Sequence, residues 1–195
     1  MVEQLKTPSL LVALPTLMEP QFHKAVILLV EQNKDGAQGY IINKPMPLSL
    51  RDAGFQKRYQ IPNHVPVWLG GPLGAHEGVV IHNQGGDVDA LVKVNDLRVS
   101  SSEEAIDGFI AHVEAAPAPS RGRGEALHPY RFVIGYAGWG PKQLDNELKV
   151  GNWLQIPLDT KLLFQTPWQE IWTQAIADLG VEMIAIAPGV QNYLS

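Results

Sequence analysis

The sequence predicts an α+β fold in a single domain spanning residues 1–195. Three observations carry this. A chain of 195 residues is long enough for one sizeable core. Strand and turn signals crowd its first half, whereas helical periodicity belongs mostly to the second. The elements do not alternate strand–helix–strand in the regular way of a doubly wound sheet.

Taken in order, Ser9–Leu14 is a short apolar run closed by Pro15 and reads as a buried strand. Ala25–Glu31 and Gln38–Asn43 read as two strands of a hairpin, because Asp35-Gly36 between apolar runs supplies the positive φ a tight turn needs. Ser49–Lys57 reads as a short helix with Ser49 as its N-cap. Val65–Leu69 and Gly78–His82 read as a second hairpin around Gly70-Gly71-Pro72-Leu73-Gly74. Ser101 and Glu104 have the spacing of a capping box, and Ile106, Phe109, Ile110 and Val113 follow as one helical face.

Residues 115–129, rich in Ala, Pro, Arg and Gly, read as a mobile surface loop. Beyond them, Trp153–Pro157 and Leu162–Phe164 are strand-like. Thr166-Pro167 opens a helix whose stripe is Trp168, Ile171, Trp172, Ala175, Ile176 and Leu179, ended by Gly180. Met183–Ala187 reads as a last strand.

Composition narrows the chemistry. Hydrophobic residues make up 45% and charged residues 18%, less charge than usual, so a well-buried globule is expected. The formal charge of −5 gives no general attraction to a phosphate backbone, so bulk charge argues against nucleic acid as a partner. With no cysteine, disulfides, thiolate catalysis and cysteine zinc sites are excluded. The six histidines lack the spacing of a helical metal site, so no metal is read, and no cofactor motif is found. No basic stretch leads into a long apolar run near Met1, and no apolar run is long enough to cross a membrane. A cytoplasmic protein is expected; its oligomeric state is left open.

The densest motif is Gly135-Tyr136-Ala137-Gly138-Trp139-Gly140-Pro141, running into Lys142-Gln143-Leu144-Asp145-Asn146-Glu147-Leu148. It reads as an apolar strand (Phe132–Ile134), a glycine turn with Trp139 at its tip, and a helix. Free N–H groups at such a helix start could hold an anion, which would offset the position of Lys142 in the first turn. Gln143 and Glu147 share a helix face.

These residues resemble the bacterial YqgE/AlgH family. So do Pro20-Gln21-Phe22, Val26–Glu31, Gly36–Pro45, Gly70-Gly71-Pro72, Gly78–His82 and Asn152-Trp153-Leu154, together covering nearly the whole chain. The resemblance implies a curved, mainly antiparallel sheet, partly barrel-like and flanked by helices. It implies no established reaction and hence no catalytic residues; one branch of the family is named for a proposed role in transcriptional regulation. The chain departs from the pattern at Gln32, where a histidine is usual, at Lys142, where glycine is usual, and in a longer 115–129 segment.

Three functional readings follow. The first is a non-enzymatic regulatory or interaction protein with a protein partner, touching transcription indirectly. The second is a small-molecule or anion binder, or an unrecognised hydrolase, using a crevice near the glycine turns. The third is direct DNA binding through Arg121, Arg123 or Lys57-Arg58. Candidate ligand- or partner-binding residues are Asn43, Gly70, Gly71, His82, Tyr136, Trp139, Lys142, Gln143 and Glu147. Each also has a structural reading: packed glycines, a buried indole, a solvated helix face.

Overall fold

The computed structural model describes residues 7–49, 66–83, 90–115 and 130–186. The strands are β1 (Ser9–Ala13), β2 (Val26–Asn33), β3 (Gly36–Ile41), β4 (Pro45–Ser49), β5 (Pro66–Leu69), β6 (Leu73–His82), β7 (Val92–Val94), β8 (Leu97–Ser100), β9 (Tyr130–Trp139) and β10 (Trp153–Pro157). The helices are α1 (Glu103–Ala115), α2 (Gln143–Lys149), α3 (Thr160–Gln165) and α4 (Trp168–Ile186). The fold is α+β as expected, and its ten-stranded, mostly antiparallel sheet is not closed. Among the described residues, no helix is long and apolar enough to cross a membrane.

The main path of the sheet is β10-β1-β2-β3-β9-β6-β8-β7. At its centre lies β9. Its first half is flanked by β6 antiparallel and β5 parallel, while its last residues, Ala137–Trp139, pair with β3. β4 adds outside β5.

Both faces are covered, which is why β1 is buried at every position and reads as an unbroken apolar run. On one face Leu10, Val12, Leu28, Tyr40 and Ile42 pack with α3 and α4 through Leu162, Phe164, Ile171 and Ala175. On the other, Leu11, Ile27, Leu29 and Ile41 pack with Leu144 of α2. Phe132 and Val80 meet Ile106 and Phe109 of α1, the stripe expected for that helix.

Several expectations change. β5 and β6 are not a hairpin: β9 lies between them and pairs with both. The glycine-rich segment before Trp139 is strand, not turn; β9 runs through it, bending at Gly135 (φ +74°), and only Gly140-Pro141-Lys142 turns. Leu162–Phe164 is helical, because the Asp159 carboxylate accepts from the Lys161 and Leu162 amides and caps α3. α4 continues through Gly180 to Ile186, so neither a stop at Gly180 nor a strand at Met183 is present.

At α1 the hydroxyl that accepts from the third helical amide, that of Ala105, belongs to Ser102 rather than Ser101. Ser49 ends strand β4, and the rest of the expected Ser49–Lys57 helix lies outside the described residues. Lys57, Arg58, Arg121, Arg123 and the 116–129 part of the expected loop lie outside the described residues, and its first residue, Ala115, ends α1.

Candidate functional site

The glycines around β9 are explained by backbone contact. Gly70 sits between two strands: its carbonyl accepts from Ile41 N and its amide donates to Ile134 O. A Cβ on Gly70 would run into the Gly135 carbonyl, and one on Gly71 into the Tyr136 backbone. Gly135 is left-handed, and a Cβ there would lie 2.7 Å from both the Gly71 and Leu73 carbonyl oxygens.

Strand β9 then delivers Trp139 to α2. Trp139 is 7% exposed, in the core rather than at a tip. Its indole N–H donates to Glu147 Oε2 at 2.9 Å, and the Trp153 indole donates to the same oxygen at 2.8 Å. Gln143 Nε2 donates to Glu147 Oε1 at 2.9 Å. The two indoles meet edge to face with centroids 6.0 Å apart. One carboxylate thus joins β9, α2 and β10 through three N–H donors. The Gly140 amide, which would face an anion at the turn, donates instead to Gln143 Oε1 at 3.0 Å. Lys142 is exposed and left-handed (φ 62°) at the head of α2, whose seven residues make a weak anion site.

The other candidates do not join this corner. Asn43 is buried; its Oδ1 accepts from Val26 N and its Nδ2 donates to Lys24 O, each at 2.8 Å. His82 is 2% exposed at the far end of β6, stacked on Tyr130 at 5.2 Å. Tyr136 lies beside Gly74 against the core that holds Tyr40. Burial pushes the Tyr40 phenol above its ordinary pKa, with the Gln38 amide pulling the other way. Of the five residues expected to share a crevice, Gln143 and Glu147 are hydrogen-bonded to each other, while Asn43 bonds Val26 and Lys24, His82 stacks on Tyr130 and Tyr136 lies beside Gly74 and Gly138.

Three features escape a reading of the sequence. Gln32 Nε2 donates to Asp145 Oδ1 at 3.0 Å, so the position where a family histidine was expected touches α2. Arg131, 6% exposed, donates to the carbonyls of Ile42 and Leu163 and stacks its guanidinium 4.3 Å above the Trp68 ring.

The third is a hollow of about 410 Å³ at the opposite end of β3 from the β2–β3 turn, bounded by His23, Lys24, Asn43, Lys44, Pro45 and the first turns of α4 at Trp168, Gln169, Trp172 and Thr173. Its volume falls in the range of small-ligand sites. Lys44 Nζ donates to the Gln21 carbonyl at 2.8 Å, and burial holds its ammonium below the usual lysine pKa. Lys24 is left-handed (φ 54°) and its Nζ lies 5.2 Å from the Trp172 ring centroid. These residues are far apart in sequence and no local spacing announces them.

Comparison with known proteins is consistent across sequence and structure. The AlgH-like family model matches residues 10–184. A UPF0301 protein of Nitrosococcus oceani is 35% identical over 180 residues, covering 89% of each chain. One from Photobacterium profundum is 31% identical over 186 residues, covering 90% of this chain and 92% of its own. The solution structure of the AlgH protein from Pseudomonas aeruginosa superposes with a TM-score of 0.70 at 28% identity, covering 96% of this chain and 98% of that one. A crystal structure from Corynebacterium diphtheriae, at 19% identity and TM-score 0.63, covers 89% and 86% and shares the fold.

Proposed function

The chain belongs to the AlgH-like family, and from that premise we propose that it is a non-enzymatic regulatory or interaction protein of the cytoplasm, acting through a protein partner. The observation that carries this reading is the condition of Glu147. A general acid or base must be free to exchange a proton with a substrate. Glu147 instead accepts from Trp139, Trp153 and Gln143, so this carboxylate of the densest motif serves the fold.

What the corner leaves outward is a rim suited to contact. Leu73 is 45% exposed, beside exposed Pro72 and Gly138, and Pro141 and Lys142 are exposed across the turn. An exposed leucine framed by turn residues is a modest apolar anchor for another protein surface.

Cross-linking in living cells with a tagged chain tests this. The expected result is a reproducible partner set captured by the wild type and lost in Leu73→Asp, with an unchanged unfolding midpoint. Equal capture by both chains, or capture by neither, contradicts the reading. A duplex DNA titration at low salt is expected to show no saturable binding; binding with a steep salt slope would move the function to direct DNA contact.

A further inference from the structure

Lys44, on the wall of the hollow beside α4, is half-buried. Its Nζ donates to the Gln21 carbonyl at 2.8 Å and, more weakly, to the Pro20 carbonyl at 3.4 Å. An ammonium has three protons to place, a neutral amine two. Among the described residues the third proton meets no acceptor, and no carboxylate pairs with Lys44. Burial alone draws its pKa below the ordinary lysine value, with no charged neighbour working for or against it. The bonding is thus that of a neutral amine: both N–H groups are taken by carbonyls and the lone pair is uncommitted.

A desolvated lysine held this way is a nucleophile, because nothing beside it favours the charged form. The hollow, of about 410 Å³, gives an electrophile room to approach, with Trp168 and Trp172 as its apolar walls. Gln21 is exposed, so the amine stays within reach of a solute. It is also held in place. Asn43, the preceding residue, is fixed by its bonds to Val26 N and Lys24 O, and the amine itself is fastened to the 20–21 segment. A nucleophile positioned in advance has less ordering left to do.

The same two carbonyls select the reaction. An acylated amine keeps one N–H, which suits the closer acceptor, Gln21 O, and gives up only the longer contact to Pro20 O. A neutral imine, the product with an aldehyde, keeps no N–H and would lose both bonds.

We infer that Lys44 is a site of covalent acylation by a small activated acyl group, carried as an acyl phosphate or a thioester. The Nζ lone pair attacks the acyl carbonyl carbon and an Nζ–C bond forms. The C–O bond to phosphate, or the C–S bond of the thioester, breaks, and the leaving group departs with the electron pair. One Nζ proton passes to solvent, and nothing is oxidised or reduced. The product is an amide that can no longer be charged. This site is separate from the Leu73 rim and stands or falls independently of the partner proposed there.

The test treats the full chain with acetyl phosphate in one series and with N,S-diacetylcysteamine, a thioester, in another, and follows acetylation at each lysine by peptide mass spectrometry. The expected result is severalfold faster acetylation of Lys44 than of the exposed Lys142, Lys149 and Lys161 with at least one donor, the faster donor identifying the leaving group. The Lys44 rate should level off at a lower pH in the folded chain than in the same chain unfolded in urea, and its lead over the other lysines should vanish in urea. Lys44 labelled no faster than the exposed lysines by either donor overturns the inference. So does a lead that survives in urea, which would belong to the neighbouring sequence and not to the fold.

Discussion

The corner at Glu147 and the hollow at Lys44 are built from similar groups, two tryptophans each with polar and charged side chains around them, yet their accounts close differently. In the corner, one carboxylate meets three N–H donors and nothing is left over. In the hollow, Lys44 meets two backbone carbonyls and Lys24 the Trp172 ring, and the lining holds no carboxylate. The difference teaches that a concentration of distinctive residues marks where a fold is hardest to make, and not necessarily where a ligand goes. Function is better sought where hydrogen-bonding capacity remains uncommitted.

The largest expected effect tests the architectural side. Gly70→Ala should destabilise the fold by about 3 kcal/mol or more in urea unfolding, because its Cβ has only the Gly135 backbone to displace. A loss under about 1 kcal/mol would mean the β3–β5–β9 junction adjusts freely.

Next comes Glu147 itself. Glu147→Ala leaves two indoles and an amide without their acceptor and should cost about 2–4 kcal/mol. Glu147→Gln keeps one oxygen for the indoles and should cost about 1 kcal/mol. Equal costs for the two substitutions would contradict the hydrogen-bond account.

A smaller effect sharpens the comparison from the α2 side. Gln32→Ala removes a half-buried contact to Asp145 and should cost roughly 0.5 kcal/mol. The smallest effect distinguishes the hollow. Burial holds the Lys44 pKa below its ordinary 10.5, so the unfolded chain binds the proton more tightly. Its contribution to stability is present above that value and is lost as pH falls through the folded pKa. Lys44→Met should therefore be neutral or slightly stabilising at pH 7, read by thermal unfolding, and should flatten the rise of stability with pH on the alkaline side. A clear loss of stability at pH 7 would make Lys44 a structural strut through its Gln21 bond instead.

Local chemistry in the sequence identified much of this fold. Asp35-Gly36 specified the β2–β3 hairpin, and the Ile106–Phe109–Ile110 stripe specified α1 and its buried face. At β9 a long-range interaction overruled a local signal. Glycine at 135 and 138 signals a turn in isolation, but pairing with β3 and β6 carries the strand on past the left-handed bend at Gly135 and through Gly138. The run Leu162–Phe164 is equally apolar as strand or helix, and only Asp159 decides. Gly180 lies inside a helix despite its low propensity.

The corner was half visible, since Gln143 and Glu147 stand one helical turn apart. The link to Trp139 and Trp153 had to come from the fold. The hollow was invisible because Lys24 and Lys44 are separated from Trp168 and Trp172 by most of the chain, and no periodicity relates them.

Hydrogen exchange at the indole N–H groups, followed by NMR, tests the central claim most directly. Trp139 and Trp153 should exchange slowly in the wild type, nearly as slowly in Glu147→Gln, and fast in Glu147→Ala. Exchange of either indole at the free rate in the wild-type protein would show that Glu147 is not held by the fold, and would return its carboxylate to the list of groups available for chemistry.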